Sequence, residues 1–314
     1  MWIACGKFTG NELSRRQEII SMPDTILRYK YVPVDGSFEM PFDKKGSLSI
    51  IKDGTMKFTN RKEFNDPFDG WPEIDVKATL KWATKNPPSD MKKHIDSIIE
   101  REKGRLPPAQ RLLERSRFRR KNEINFENIF FEEFDKYGIC SLSRTPLNLL
   151  MWAHYAKDHK GFVIEFSIPI LKSFEQFSDD QGNIFTQKLK SYGSYTLYPF
   201  PVSYEKEKPV VTGDTQAFDK KFITKGKDWE YEQEERVIDF IQGCGVHPYD
   251  RKQVLKSVIA GVRMRDEDFT VLKNTVDTVN KEQGMNVTVH KAEPVKGKFA
   301  LTVPDRDDLN IHNM

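Results

Sequence analysis

The chain has no apolar run near the ~18 residues that a membrane-spanning helix needs. Its mean hydropathy is −0.63 and 31% of its residues are charged, which excludes a membrane-embedded protein. The first ten residues show no basic start followed by an apolar core, so no secretory signal is expected. Cysteine is scarce. Cys5, Cys140 and Cys244 are odd in number and far apart, which excludes a disulfide framework and a zinc spacing and fits a reducing, cytoplasmic location. Charge of one sign is also missing: 50 Lys and Arg face 47 Asp and Glu, a net charge of +3, too little for a chain-wide field attracting nucleic acid. Internal repeats and low-complexity tracts are absent. Aromatic residues are abundant, with 22 Phe and 12% aromatics overall, so the 314 residues can bury a core as one large domain or two small ones.

The patterning predicts an α+β protein with a mixed or antiparallel β core and a helical insertion. Residues 1–23 read as an N-terminal extension with a helix near Glu12 to Ile20. Residues 24–303 read as a single α+β domain interrupted by the insertion at 71–137, and residues 304–314 as a polar, flexible tail. Strands are expected at 26–32, 55–59, 139–143, 162–166, 202–204, 235–241, 258–262 and 286–290. Residues 48–51 fit a short helix or a strand. Helices are expected from Pro146 to Tyr155, started by Thr145 or Pro146, and from Asp266 to Lys281. Gly161 is expected to end the first of these as a left-handed cap. Between Arg101 and Lys121 nine basic residues face two glutamates. The basic run from Arg111 to Lys121 can touch phosphate or form a solvated helix face.

Several constellations can carry chemistry. If a strand begins near Tyr231, then Glu232, Glu234 and Arg236 share one face. Paired carboxylates at that spacing suit a developing positive charge, and they equally suit a solvated strand start. Ser141 and Ser143 share a strand face ahead of Asn148, Trp152, His154 and Tyr155. There the hydroxyls can bond a ligand while rings stack on it, or the rings can be core. Asn65, Asp66 and Asp69 lie on a turn fixed by Pro67, as a metal pair or an Asx turn. No metal is expected at His154 and His159, because no glutamate follows His154.

In order along the chain, Leu27-Arg28-Tyr29-Lys30-Tyr31, Phe58, the turn 64–69, Ser141-Leu142-Ser143, the block 151–166 and Trp229 with the block 231–236 resemble the bacterial domain-of-unknown-function family twenty-nine seventy-one. That resemblance runs from about Ile26 to about Glu293 and implies no activity. A first strand with a basic residue, a Ser-x-Ser strand before a helix and a late Glu-x-Glu are more distantly similar to the Arg–Ser–Glu layout of ADP-ribosyltransferases. This second resemblance implies split sheets around a cleft for NAD as substrate, with no metal. By position Glu234 is catalytic and Glu232 aids the acceptor. Arg28 contacts the pyrophosphate or ribose, with Lys30, two residues on, as its alternative. Tyr29, Ser141, Ser143, Trp152, His154 and Tyr155 contact the dinucleotide, and Asn65, Asp66, Asp69 and Arg236 support them. Gln233 and Glu235 form an equally legal pair in the other register. The function expected is an NAD-using enzyme of the toxin or antiphage kind. One alternative is a metal-dependent nuclease using Asp66, Asp69, Glu165 or the late glutamates, with Arg111 to Lys121 on phosphate. The other is a non-catalytic binding or regulatory module. No membrane partner is expected.

Overall fold

Alternation of apolar side chains builds the strands. The structure, a computed structural model, describes residues 25–34, 46–75, 78, 135–169, 194–211 and 222–310. In chain order the strands are β1 (Thr25–Val32), β2 (Thr55–Phe58), β3 (Glu73–Ile74), β4 (Gly138–Ser143), β5 (Phe162–Pro169), β6 (Phe200–Pro201), β7 (Ser203–Glu205) and β8 (Val210–Val211). They continue with β9 (Thr224–Gly226), β10 (Glu234–Asp239), β11 (Gly245–Pro248), β12 (Leu255–Ala260), β13 (Thr288–Lys291), β14 (Glu293–Pro294) and β15 (Leu301–Thr302). The helices are α1 (Ser49–Lys52), α2 (Leu149–Tyr155), α3 (Arg251–Val254), α4 (Asp266–Gln283) and α5 (Asp307–Asn310). Most of the predicted helical insertion, the basic run from Arg111 to Lys121 and the helix near Glu12 to Ile20 lie outside the described residues.

The main sheet has seven strands in the order β13-β12-β5-β1-β4-β10-β6. β12 and β13 are parallel and joined through α4, and the other neighbours are antiparallel, so the protein is α+β with a mixed sheet. β5 shows how the two faces arise. Phe162, Ile164, Phe166 and Ile168 are fully buried on one face, where they join a core with α1 and with Leu272, Val276 and Val279 of α4. Those three positions recur at helical spacing and give α4 one apolar stripe. Asp266, Glu267 and Asp268 in its first turn suit the helix dipole, and Gly284 ends it at φ 63°.

On the opposite face Tyr29, Tyr31, Trp152, Val163 and Ile259 form a second core with Leu301, Val303 and Leu309. A polar row crosses this face: Ser257, Glu165, Tyr29, Ser143 and Glu234 stand in register on β12, β5, β1, β4 and β10. Glu165 is fully buried there. It accepts from Arg306 Nη1 at 2.9 Å and Nη2 at 2.8 Å, and from Ser257 Oγ at 2.5 Å. Burial acts to raise its pKa, but the bonds from Arg306 and Ser257 outweigh burial and hold it below the usual carboxylate range. Residues 304–310, expected in a free tail, are therefore anchored through Arg306 and the buried Leu309.

Two further expectations change. α2 starts at Leu149 rather than Pro146, because Asn148 Oδ1 caps it by accepting from the Leu150 and Met151 N–H groups at 2.9 and 3.1 Å. Gly161 is not the left-handed residue after α2; Lys157, Asp158 and His159 are, at φ 46°, 53° and 66°. Gly161 is needed for close approach. A Cβ there would lie 2.2 Å from the Val32 carbonyl oxygen, and one on Gly261 would lie 2.2 Å from that of His159. The two glycines are joined by Gly261 N–H to Gly161 O at 2.9 Å. Gly161→Ala is expected to lower stability by about 1–3 kcal/mol, as overpacking does, measured by urea denaturation. An unchanged midpoint would show that the β1 end yields freely.

Candidate functional site

The late glutamates meet through a turn. Residues Lys227–Glu232 form a 3-10 helix that Gln233 closes in the left-handed region at φ 46°, and β10 begins only at Glu234. The strand expected at 235–241 thus begins one residue earlier, and the condition of a start near Tyr231 is not met. Gln233 is fixed by its N–H on Glu230 O and by its carbonyl, which accepts from Arg144 N–H, both at 3.1 Å. The turn folds Glu232 back beside Glu234, and both carboxylates meet Lys225 Nζ, at 2.5 and 3.2 Å. Lys225 lies on β9, which pairs with β7, and its side chain is 4% exposed.

Behind them lies Arg236, fully buried two residues along the same face. Its Nε and Nη2 donate to Glu234 at 2.8 and 3.0 Å, its Nη2 reaches Asp69 Oδ2 at 2.5 Å, and its Nη1 donates to Phe222 O at 2.7 Å. Tyr155, at the end of α2, donates its hydroxyl to Glu232 Oε1 at 2.6 Å and accepts from Asn65 Nδ2 at 2.9 Å. Ser143 Oγ donates to Glu232 O at 2.7 Å, and Asn148 Nδ2 donates to Tyr231 O at 2.9 Å, so β4 and the cap of α2 both fix the 3-10 helix.

These contacts set the two glutamates apart. Burial acts to raise the Glu234 pKa, but Arg236 and Lys225 outweigh it and hold it at about 2. For Glu232 burial prevails over Lys225, and its pKa rises above the usual range. Asp69 is likewise raised, by burial against the pull of Arg236. Lys225 is raised, because Glu234, Glu232 and Asp69 together overcome its burial. The site thus holds one firmly ionised carboxylate, Glu234, and two with enhanced affinity for a proton, Glu232 and Asp69.

β1 and β4 are joined through a single register pair, Tyr29 with Ser143. Beyond it Lys30 Nζ reaches across to Ser141 O at 2.9 Å. A cleft of about 90 Å³ lies here, several times what one water needs. Tyr29, Lys30, Ser141 and Ser143 line it from the strands, Phe64, Asn65 and Asp69 from the turn, Tyr155 from α2, and Lys225, Glu232 and Glu234 from the late segment.

Most expected site residues therefore gather in one place, and four do not. Arg28 stands on the sheet face opposite Tyr29, the same face as Lys30, but its guanidinium is drawn to Glu235. Its Nε and Nη2 pair with Glu235 at 2.5 and 2.8 Å, and Lys30 rather than Arg28 borders the cleft. Trp152 is fully buried, with Nε1 on Pro146 O at 2.8 Å and its ring 5.5 Å from Tyr31, so it is core and not a ligand platform. His154 is exposed and outside the cleft wall, 6.4 Å from the Tyr231 ring. Asp66 makes an Asx turn with Phe68 N–H at 2.9 Å and lines a neighbouring groove of about 580 Å³ with Phe68 and Trp229. Lys225 was missed. Its signal was a deficit: Asp69, Glu232 and Glu234 cannot share a buried site with Arg236 as their one counter-charge.

Among the described residues no group of three or more His, Cys, Asp or Glu is arranged to hold a metal ion, and no helix is long and apolar enough to cross a membrane. Lys225 provides the cation between the carboxylates. Residues 151–237 match a family described as "Protein of unknown function (DUF2971)". The match covers α2 from Met151, β5 to β9, the 3-10 helix and the start of β10, and so includes Tyr155, Lys225, Glu232, Glu234 and Arg236. No curated protein and no solved structure matches the chain.

Proposed function

We propose that the cleft takes the nicotinamide–ribose end of NAD and that the protein cleaves the bond between them, as an ADP-ribosyltransferase or NAD glycohydrolase. The carrying observation is the meeting of Glu232 and Tyr155 in a cleft between the first strand and a Ser-x-Ser strand. The charges suit the ligand. The nicotinamide ring of NAD is cationic and its pyrophosphate anionic; the cleft is lined by the carboxylates Asp69, Glu232 and Glu234 and by the cations Lys225 and Lys30.

In the reaction the ribose C1′–nitrogen bond breaks and its electron pair returns to the ring nitrogen, so nicotinamide leaves neutral. Positive charge develops on the ribose, and the Glu232 carboxylate stabilises it. A water or an acceptor nucleophile bonds to C1′ and its proton passes to Glu232, whose raised pKa suits it to receive one. Both oxygens of each glutamate are engaged, those of Glu232 by Tyr155 and Lys225 and those of Glu234 by Arg236 and Lys225, but the buried Arg236 keeps Glu234 ionised, so this reading gives Glu234 a positioning role and the proton to Glu232.

Purified protein is incubated with NAD labelled in the nicotinamide and in the adenosine halves, with and without cell extract. Release of nicotinamide is expected. Retention of the adenosine label on a macromolecule marks a transferase, and free ADP-ribose marks a glycohydrolase. Folded protein giving neither product in either condition overturns the reading and favours a non-catalytic binding role.

A further inference from the structure

One buried oxygen of the cleft has no partner. Asp69 is 4% exposed. Its Oδ2 meets Arg236 Nη2 at 2.5 Å and lies 3.6 Å from Lys225 Nζ, but its Oδ1 has no hydrogen bond. Neighbouring polar groups are engaged: the Tyr155 hydroxyl with Glu232 and Asn65, Ser143 Oγ with Glu232 O, and Lys30 Nζ with Ser141 O. Asp239 also carries an orphan oxygen, Oδ2, but its Oδ1 accepts from the N–H groups of Ile241, Gln242 and Gly243, a purely structural duty. Asp69 differs in lining the cleft beside the Phe64 ring and Tyr155. Buried polar atoms are nearly always paired, so this unpaired, buried one, in a residue that lines the cleft, marks where a ligand hydrogen bond belongs.

We propose that Asp69 Oδ1 accepts the carboxamide N–H of the bound nicotinamide ring and thereby selects NAD over its deamidated form, nicotinic acid adenine dinucleotide. The inference rests on the reading of the cleft as an NAD site. The two dinucleotides differ at one group. The amide offers donors, whereas the ionised acid offers acceptors alone. The acid would leave Oδ1 unpaired and set a further negative charge beside Asp69, Glu232 and Glu234. A site that binds a donor rejects the analogue lacking it far more strongly than a hydrophobic pocket rejects a lost methylene, by 10⁴-fold or more at the limit.

Binding of each dinucleotide is measured by titration calorimetry with the wild-type protein and with Asp69→Asn. Asparagine keeps the shape and an oxygen for Arg236, and it turns an amide donor toward the ligand. Wild type is expected to bind NAD at least about 100-fold more tightly than the deamidated form, and Asp69→Asn is expected to narrow that preference to within about tenfold. Wild type binding both equally overturns the inference while leaving the NAD site intact. Wild type binding neither overturns the NAD reading and this inference with it. A folded Asp69→Asn protein that keeps the full preference removes Asp69 from the role. Should the variant fail to fold, as checked by circular dichroism, the wild-type comparison decides, repeated with free nicotinamide against nicotinate.

Discussion

Arg236→Met is expected to lower the unfolding free energy by about 3–5 kcal/mol, the usual effect of removing one partner of a buried ion pair. The guanidinium is fully buried and bonds to Glu234, Asp69 and Phe222 O. Methionine fills similar volume and satisfies none of them, which leaves Lys225 to face three carboxylates. Urea denaturation of both proteins reads the loss, and a change under about 1 kcal/mol would show the pair to be dispensable. A pH series adds a second reading. The folded pKa of Glu234, about 2, lies below its ordinary 4.5, so its contribution is present above pH 4.5 and is lost as pH falls from there toward 2. Glu232 has the opposite sign: its raised pKa favours the fold below pH 4.5, and that gain disappears as pH rises through its folded value. Arg236→Met should therefore flatten the acid-side loss, since the cation that depresses Glu234 most is gone.

Glu232→Gln is expected to slow nicotinamide release by about 10²–10⁴-fold, the range for losing a general base. Glutamine retains the shape and can still accept from Tyr155. Glu234 and Asp69 still hold Lys225, so the fold should survive. The loss should appear in kcat with little change in KM, because the carboxylate acts on charge that develops in the transition state. Release within threefold of wild type would remove Glu232 from catalysis. Glu234→Gln should behave differently, with reduced thermal stability accompanying any loss of rate, because both its oxygens serve buried cations.

Much of the sheet was legible because alternation is a local signal. The apolar positions of β5 announce a strand with two distinct faces, and the stripe of α4 announces its helix. The pairing of Glu232 with Glu234 was also legible, although for a different reason than strand geometry. The chain turns at Gln233, and no sequence rule marks a glutamine for the left-handed region. Partners far apart in sequence were the harder part. Arg236 and Asp69 are 167 residues apart, and Arg28 and Glu235 are 207 apart. The partner that Arg28 meets depends on how β1 and β10 register on β4, which local pattern does not fix. Trp152 and Tyr155 illustrate the same limit. Three residues apart on one short helix, one is sealed in the core while the other reaches the cleft.

The polar row across the sheet has a consequence for folding. Sliding β5 by one residue against β1 would replace Glu165 by Ile164 or Phe166 and carry its carboxylate toward Leu272 and Val276, away from Arg306 and Ser257. A similar slip of β10 against β4 would carry Glu234 and Arg236 together away from Lys225 and Asp69. Each misalignment strands a charge in a dry interior at a cost of several kcal/mol. The buried carboxylates thus act as alignment marks that let the strands settle in one registration, and the chemistry of the cleft is built on the same marks.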